Sequence, residues 1–374
     1  MNDLEGILVV SLEQAVAAPY ASCKLVDAGA RVIKIEREEG DFARNYDKLV
    51  HGQSSYFVWL NRGKQSLCLD VKNADDNRLL LSIIGKADVF IQNLAPGAVD
   101  RLGFGAKPLT EKYPSLIYCS LSGYGEDGPY REQKAYDMLV QGECGLISVN
   151  GTADGVARVG ISVCDISAGM TAYAAIVQSL FARSRTGKGR IIEVSLFHAI
   201  ADWMNVPYLQ SRYGNKPPPR VGVRHPTISP YCAFDCSDGK AVLLSIQNEK
   251  EWQKLCSEVL SNAALATDTR YLSNVLRVKN NSELEQTIGE CLTKFTREEA
   301  ITRLTKAGIA CGRLSDMQDL INHPQLRYTH VQSGEANIEV LAPGAIFPGH
   351  DSVTSIVPGI GEHSTAIRNE FSKS

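Results

Sequence analysis

Over the first 125 residues, short unbroken apolar runs rich in Val, Ile and Leu alternate with stretches whose apolar positions recur at helical spacing. Strands buried on both faces read as continuous apolar runs, so this alternation predicts a parallel sheet with crossover helices. The first run covers 7–12, and Pro19 opens a helix through Val26 that Gly29 closes. Further strands are predicted at 31–36, 66–71, 88–92 and 116–121, with a helix over 74–84. Helices over 136–147 and 165–183 follow, then a strand at 191–194 and a helix from 196 to about 213.

The proline-rich, basic segment YGNKPPPRVGVRHPTISP (213–230) cannot continue regular structure and reads as a linker. Beyond it, 231–234 and 241–246 pattern as a hairpin, followed by helices at about 250–259, 284–295 and 297–307. The 374 residues exceed the size at which one core usually stops growing. The expected organisation is therefore α/β: a large Rossmann-like domain (1–212), the linker (213–230), a smaller α+β domain (231–320) and a C-terminal return to the large domain (321–374).

Charge narrows the function. Lys plus Arg number 39 and Asp plus Glu 42, a net charge of -3, which predicts neither nucleic-acid binding nor a membrane-surface helix. The apolar stretch 166–180 is interrupted by Ser167, Gly169, Thr171 and Gln178, so no membrane span is expected. Met1 precedes Asn, Asp, Leu and Glu rather than a basic, then apolar, leader. Ten scattered cysteines, with only Cys232 and Cys236 close together, fit a reducing, cytoplasmic setting.

The usual ligands of this architecture lack their signatures. The first strand runs into SLEQAVAAPYASCKL, without the glycines that let backbone approach a dinucleotide pyrophosphate. No Walker loop and no G-x-S-x-G elbow occurs, and RTGKGR (185–190) reads as a turn. The seven histidines show no metal-ligand spacing, so no metal and no cofactor is implied.

Eight motifs occur in order: GARVIKIER (29–37), FVWLNRGKQSLCLDVK (57–72), ADVFIQNLAPGAVDRLGFG (87–105), LSGYGEDGPY (121–130), KAYDMLVQGECGL (134–146), GISVCDISAGM (160–170), RTGKGRIIEVSLFHA (185–199) and PGIGEH (358–363). Together they resemble the family III CoA-transferases over nearly the whole chain. The resemblance implies that coenzyme A moves between carboxylic acids, with Asp165 as covalent nucleophile. It also implies an interlocked homodimer. Taken locally, Asp165 has a second reading, an N-cap residue ahead of an apolar helix.

By the same resemblance, CoA is held by Arg37, Lys72, Asn93, Arg101 and Lys134, with Ala15, Leu69 and Leu94 walling the adenine and pantetheine. Each base alone also reads as a solvated surface charge. Tyr136 precedes Asp137 where related racemases carry a His-Asp pair, which favours transfer over α-proton abstraction; a half-buried aromatic at a helix start is the other reading. The family's glutamine after the first strand is matched by Val16, its glycine-rich loop by SIQNEKEW (245–252), and its frequent aspartate by His198, read as structural.

The sequence looks closest to transferases of itaconate, mesaconate, citramalate or glutarate, which implies acyl-CoA, often succinyl-CoA, and a short dicarboxylic acid as substrates. Arg224 and His225 are candidates for the distal carboxylate, or simply fix a turn. An acyl-CoA isomerase is the alternative activity.

Overall fold

The runs that read as buried strands form one six-stranded sheet in the computed structural model, which describes residues 2–348 and 355–372. Its strands are β1 (Leu8–Leu12), β2 (Arg31–Glu36), β3 (Gln65–Cys68), β4 (Val89–Gln92), β5 (Ile117–Ser122) and β6 (Ile191–Ser195). All neighbours pair in parallel, in the order β3-β2-β1-β4-β5-β6. The expected Rossmann-like sheet is therefore present. Side chains alternate across a pleat, so Val9, Val32, Ile91 and Cys119 enter one core and Val10, Ile33, Phe90 and Tyr118 the other.

Helices Ala17–Asp27 and Val163–Thr186 cover the first core. Helices Ala74–Ile84, Ala106–Lys112 and Ser364–Phe371 cover the second. Strand order reverses between β1 and β4, and in such sheets ligands bind in the crevice beyond the carboxyl ends at that point. Here that crevice is bordered by Glu13, Gln14, Ala15 and Asn93.

The chain divides into two units. The first comprises residues to Leu146, Arg158–Tyr208 and everything from Arg327; the second comprises Ile147–Ala157 and Leu209–Leu326. Sequence patterning assigned 147–157 to the large domain and 213–230 to a free linker. Instead these two segments hold each other: Gly222 N–H donates to the Gly151 carbonyl at 2.8 Å and Arg220 Nε to that of Thr152 at 3.0 Å. The second unit has an antiparallel sheet of Ala310–Arg313, Ala241–Ser245 and Tyr231–Asp235 around buried Trp252, Leu255 and Ile288.

Other element bounds also differ from the periodicity. The predicted helix 136–147 breaks at Gly145, whose φ is 80°, into Asp137–Glu143 and Leu146–Val149. That over 196–213 breaks at Met204. The C-terminal return pairs Tyr328–Ser333 with Ala336–Leu341 and ends in the unpredicted helix Ser364–Phe371.

The 24-residue helix Val163–Thr186 carries the candidate nucleophile. It is long and apolar enough by composition to cross a membrane, which the sequence reading did not expect. Cys164, Ala168, Ala172 and Ile176, four residues apart, bury one face in the first core. Gly169 lets this helix approach the first one: a Cβ there would lie 2.6 Å from the Ala17 carbonyl oxygen and 3.0 Å from Tyr20 Cβ. Because backbone would have to move, Gly169→Ala is expected to destabilise the first unit by about 1–3 kcal/mol, read as a lower urea midpoint. A midpoint equal to that of the unchanged protein would refute the close-packing argument.

Candidate active site

The sheet edge is built on buried charge. Lys34, in the middle of β2, is fully buried, with Nζ 2.8 Å from Asp41 Oδ2 and 3.5 Å from Glu13 Oε1. Glu13 also takes Lys64 Nζ at 2.6 Å and the Ser22 hydroxyl at 2.7 Å. Burial would raise the Glu13 pKa, but Lys64 and Lys34 outweigh it and hold the carboxyl below its ordinary value. Removing one partner from such a set strands a buried charge, which typically costs about 3–5 kcal/mol.

This set fixes the turn after β1. Ala15 has a left-handed φ of 66°, unusual for a residue with a Cβ, and its N–H donates to Asp41 Oδ1 at 3.2 Å. Asn93, after β4, clasps the preceding residue by accepting from Gln14 N–H at 3.0 Å and donating to the Gln14 carbonyl at 2.9 Å. The Asn93 amide is thus engaged by backbone and shapes the crevice, through its oxygen and one of its two N–H groups. Sequence analysis missed Glu13, Lys34, Asp41 and Lys64. A lysine inside the apolar run VIKIE was the available signal.

Beside this turn lies a cavity of about 190 Å³ lined by Leu12, Ile35, Arg37, Leu69, Leu94 and Leu102. Arg37, Leu69 and Leu94 thus come together there. Arg37 is exposed, as are Lys72, Arg101 and Lys134, and none of the four makes an ion pair among the described residues. Arg44, Arg183 and Arg368, by contrast, are paired to Glu36, Asp88 and Asp76. Unpaired cations near the carboxyl ends of parallel strands are free to meet phosphate.

Asp165 is half-buried at the third position of its helix, which starts at Val163 after Ser162. It is therefore not the N-cap. That hydrogen bond comes from Asp137, whose Oδ1 accepts from Cys164 N–H at 2.8 Å. Asp137 Oδ2 accepts from Gln141 Nε2 at 2.7 Å. Gln141 is fully buried and clips the segment before the long helix: Nε2 also donates to the carbonyls of Val159 and Ile161, and Oε1 accepts from Val159 N–H at 2.9 Å.

The Asp165 carboxylate has no hydrogen-bond partner among the described residues. Burial, and secondarily the Asp137 charge, push its pKa up to about 7, although a helix N-terminus favours the anion. Tyr46, which sequence analysis also missed, lies near both Asp165 and Asp41. Burial first, then those two carboxylates, push its phenol up to about 12. Tyr136 is exposed at the start of helix Asp137–Glu143. A half-buried carboxylate with high proton affinity and no partner can act as a nucleophile or as an acid-base group.

The remaining candidates have local partners. Arg224 and His225 belong to the second unit, where Arg224 Nη2 meets Glu285 at 2.5 Å and the His225 ring stacks on Tyr231 with centroids 5.3 Å apart. His198 Nδ1 is 2.8 Å from the Ser195 hydroxyl. In SIQNEKEW, Asn248 caps helix Glu249–Lys254. No group of three or more His, Cys, Asp or Glu among the described residues could hold a metal ion.

Known proteins resemble this chain along its length. An acetyl-CoA:oxalate CoA-transferase of Acetobacter aceti is 34% identical over 379 residues, covering 98% of this chain and 95% of the relative. A succinate–glutarate CoA-transferase of Agrobacterium fabrum is 31% identical, covering 98% and 95%. The crystal structure of a CAIB/BAIF family protein from Brucella suis superposes with a TM-score of 0.88 at 32% identity, covering 99% of this chain and all of that one. The sequence model of CoA-transferase family III matches residues 4–364, and the chain belongs to that family.

Proposed function

We propose that this CoA-transferase moves CoA from succinyl-CoA to a short dicarboxylic acid such as itaconate or mesaconate, with Asp165 as the covalent nucleophile. The observation that carries the reading is the Asp165 carboxylate itself, half-buried, without a hydrogen-bond partner among the described residues and with its pKa raised to about 7. Oxalate and glutarate, which the names of two relatives carry, are both dicarboxylates.

In the first step a carboxylate oxygen of Asp165 attacks the thioester carbonyl. The C–S bond breaks, leaving a mixed anhydride and CoA thiolate. The thiolate then attacks the aspartyl carbonyl, releases the donor acid and forms an aspartyl-CoA thioester. The acceptor carboxylate attacks that thioester and regenerates an anhydride plus thiolate, which takes the acceptor's acyl group and frees Asp165. Each step exchanges one activated acyl bond for another, so no external energy source is needed.

Arg37, Lys72, Arg101 and Lys134 would bind the phosphates of CoA, and the cavity beside Leu69 and Leu94 its apolar part. Tyr136 would border the acyl group. The functional molecule in this reading is a cytoplasmic homodimer. Exposed Phe181 and Trp203 offer apolar surface for a second copy, and the ten cysteines are unpaired.

Incubating the protein with succinyl-CoA and a panel of C4 and C5 dicarboxylic acids, with mass detection of the new thioester, tests the reaction. Asp165→Asn is expected to lower transfer by at least about 10³-fold; retained transfer would remove Asp165 from the chemistry. Arg37→Ala is expected to raise KM for acyl-CoA by about 10- to 100-fold with kcat little changed, as for one charge-assisted contact of about 1.5–3 kcal/mol. A fall in kcat at constant KM would speak against CoA binding by Arg37.

An ionised, partnerless Asp165 also costs stability. Its folded pKa of about 7 exceeds the unfolded value of about 3.9, so folding takes up a proton between them. The stability is present below about pH 4 and is lost as pH rises through 7. Asp165→Asn, which keeps the shape without the charge, should therefore unfold at higher urea than the parent at pH 8, by on the order of 1–3 kcal/mol after allowance for partial exposure. The gap should shrink at pH 5. A pH-independent gap would contradict the raised pKa.

A further inference from the structure

Consecutive residues at the end of β4 bond in opposite directions. Asn93 reaches back to both backbone groups of Gln14, in the turn after β1. Gln92 reaches the other way, to β5, where Ser120 stands opposite it in the strand register, and its Nε2 donates to Ser120 Oγ at 2.7 Å. Leu94 lies in the wall of the cavity with Leu12, Ile35 and Leu69, and its N–H donates to Gln92 Oε1 at 2.9 Å. The line continues into the loop after β5, because the Ser120 hydroxyl donates to Glu126 Oε1 at 2.9 Å.

The direction of every bond in this line follows from its ends. A backbone N–H can only donate, so Gln92 turns its oxygen to Leu94 and its amide to Ser120. Ser120 uses a lone pair for Gln92, and its single hydrogen goes to the Glu126 carboxylate, which accepts. Gln92 and Ser120 are 4% and 5% exposed, so a partner removed from this line is not replaced by bulk water.

We infer that Glu126 is a positioning residue of the acyl-CoA site: through Ser120 and Gln92 it holds Leu94 in the cavity wall and ties that wall to the loop after β5. This deepens the proposed function and rests on CoA occupying the cavity beside Leu69 and Leu94. The same loop supports two further ligand candidates. Gly123, three residues before Glu126, abuts Ala135, which stands between Lys134 and Tyr136: a Cβ on Gly123 would lie 2.2 Å from Ala135 Cβ. The Gly123 carbonyl also accepts from Phe197 N–H at 3.0 Å, and Gly125 N–H donates to Ser122 Oγ at 3.0 Å. Bonds in series polarise one another, and a carboxylate is the strongest acceptor the last hydroxyl can meet. Glu126 therefore acts on the ligand edge through Ser120 and Gln92, not by touching substrate.

The test measures CoA binding by isothermal titration calorimetry together with the kinetics of transfer from succinyl-CoA. Glu126→Ala is expected to raise Kd for CoA and KM for succinyl-CoA about tenfold, with kcat and KM for the acceptor acid within about twofold. Glu126→Gln, whose side-chain oxygen still accepts from Ser120, should bring Kd and KM back to within about twofold of the parent values. Ser120→Ala breaks the same line, so it should match Glu126→Ala, and the double variant should bind CoA no worse than either single one. An unchanged Kd in Glu126→Ala, or losses that add in the double variant, overturns the inference. If Ser120→Ala does not fold, the two Glu126 variants decide alone. Leu94→Trp, which fills the cavity, checks the reading beneath: CoA bound at parental strength would remove CoA from the cavity, and the inference with it. Loss of CoA binding in Leu94→Trp with no change in Glu126→Ala would overturn the positioning role alone.

Discussion

The buried ion set of Lys34, Glu13, Asp41 and Lys64 is the constraint on which the ligand edge depends. A lysine in the middle of a central strand is tolerated only because two carboxylates meet its ammonium within 3.5 Å, and each carboxylate does a second task. Glu13 reaches Lys64 at the entry to β3 and Ser22 in the first helix. Asp41 receives the N–H of Ala15 and so holds the turn after β1 in its left-handed form. A hydrophobic replacement of similar volume could match the stability of these ions, but could not bind the Ala15 amide. The charges therefore determine backbone geometry at the switch point.

The carboxylates of this unit divide into two groups with opposite surroundings. Glu13 and Glu36 are buried among cations and hydroxyls, which hold their pKa values down. Asp165 is given no cation, and burial together with Asp137 moves its pKa the other way. Environment rather than residue type thus separates the structural acids from the proposed nucleophile. The exposed cations show the complementary pattern: Arg37, Lys72, Arg101 and Lys134 form no ion pair among the described residues and suit a polyanionic ligand in the proposed chemistry.

Sequence patterning exposed the sheet because its inner strands β1, β2, β4 and β5 are buried on both faces, so Val9 and Val10 both had to be apolar. Helix Ala74–Ile84 was equally legible, since Asn73 caps it locally and Asp75 and Asp76 fill its first turn. Helix Ser55–Asn61 was not, because seven residues span barely two turns and their apolar side chains pack on distant strands such as Tyr328–Ser333. The placement of 147–157 and 213–230 differed from the patterning for the same kind of reason: Gly151 and Gly222 meet through a backbone hydrogen bond that no composition records. The eight motifs brought Asp165, Arg37, Leu69 and Leu94 forward as candidates, whereas Tyr46 and the ion set belong to contacts remote in sequence.

The identity of the cap shows why the site was only half readable. Local rules look for a cap beside the helix, and Asp165, ahead of an apolar stretch, satisfied them. The helix instead begins two residues earlier, and its capping oxygen comes from Asp137, 27 residues before Cys164. A carboxylate that capped its own helix would be stabilised as an anion by backbone N–H groups and would lose basicity. Moving the cap to a second aspartate keeps the helix start satisfied, leaves Asp165 without a hydrogen bond among the described residues, and adds to burial a negative charge that raises its pKa. One substitution of role between two aspartates thereby converts a stabilising feature of helices into a condition for the covalent chemistry proposed for Asp165.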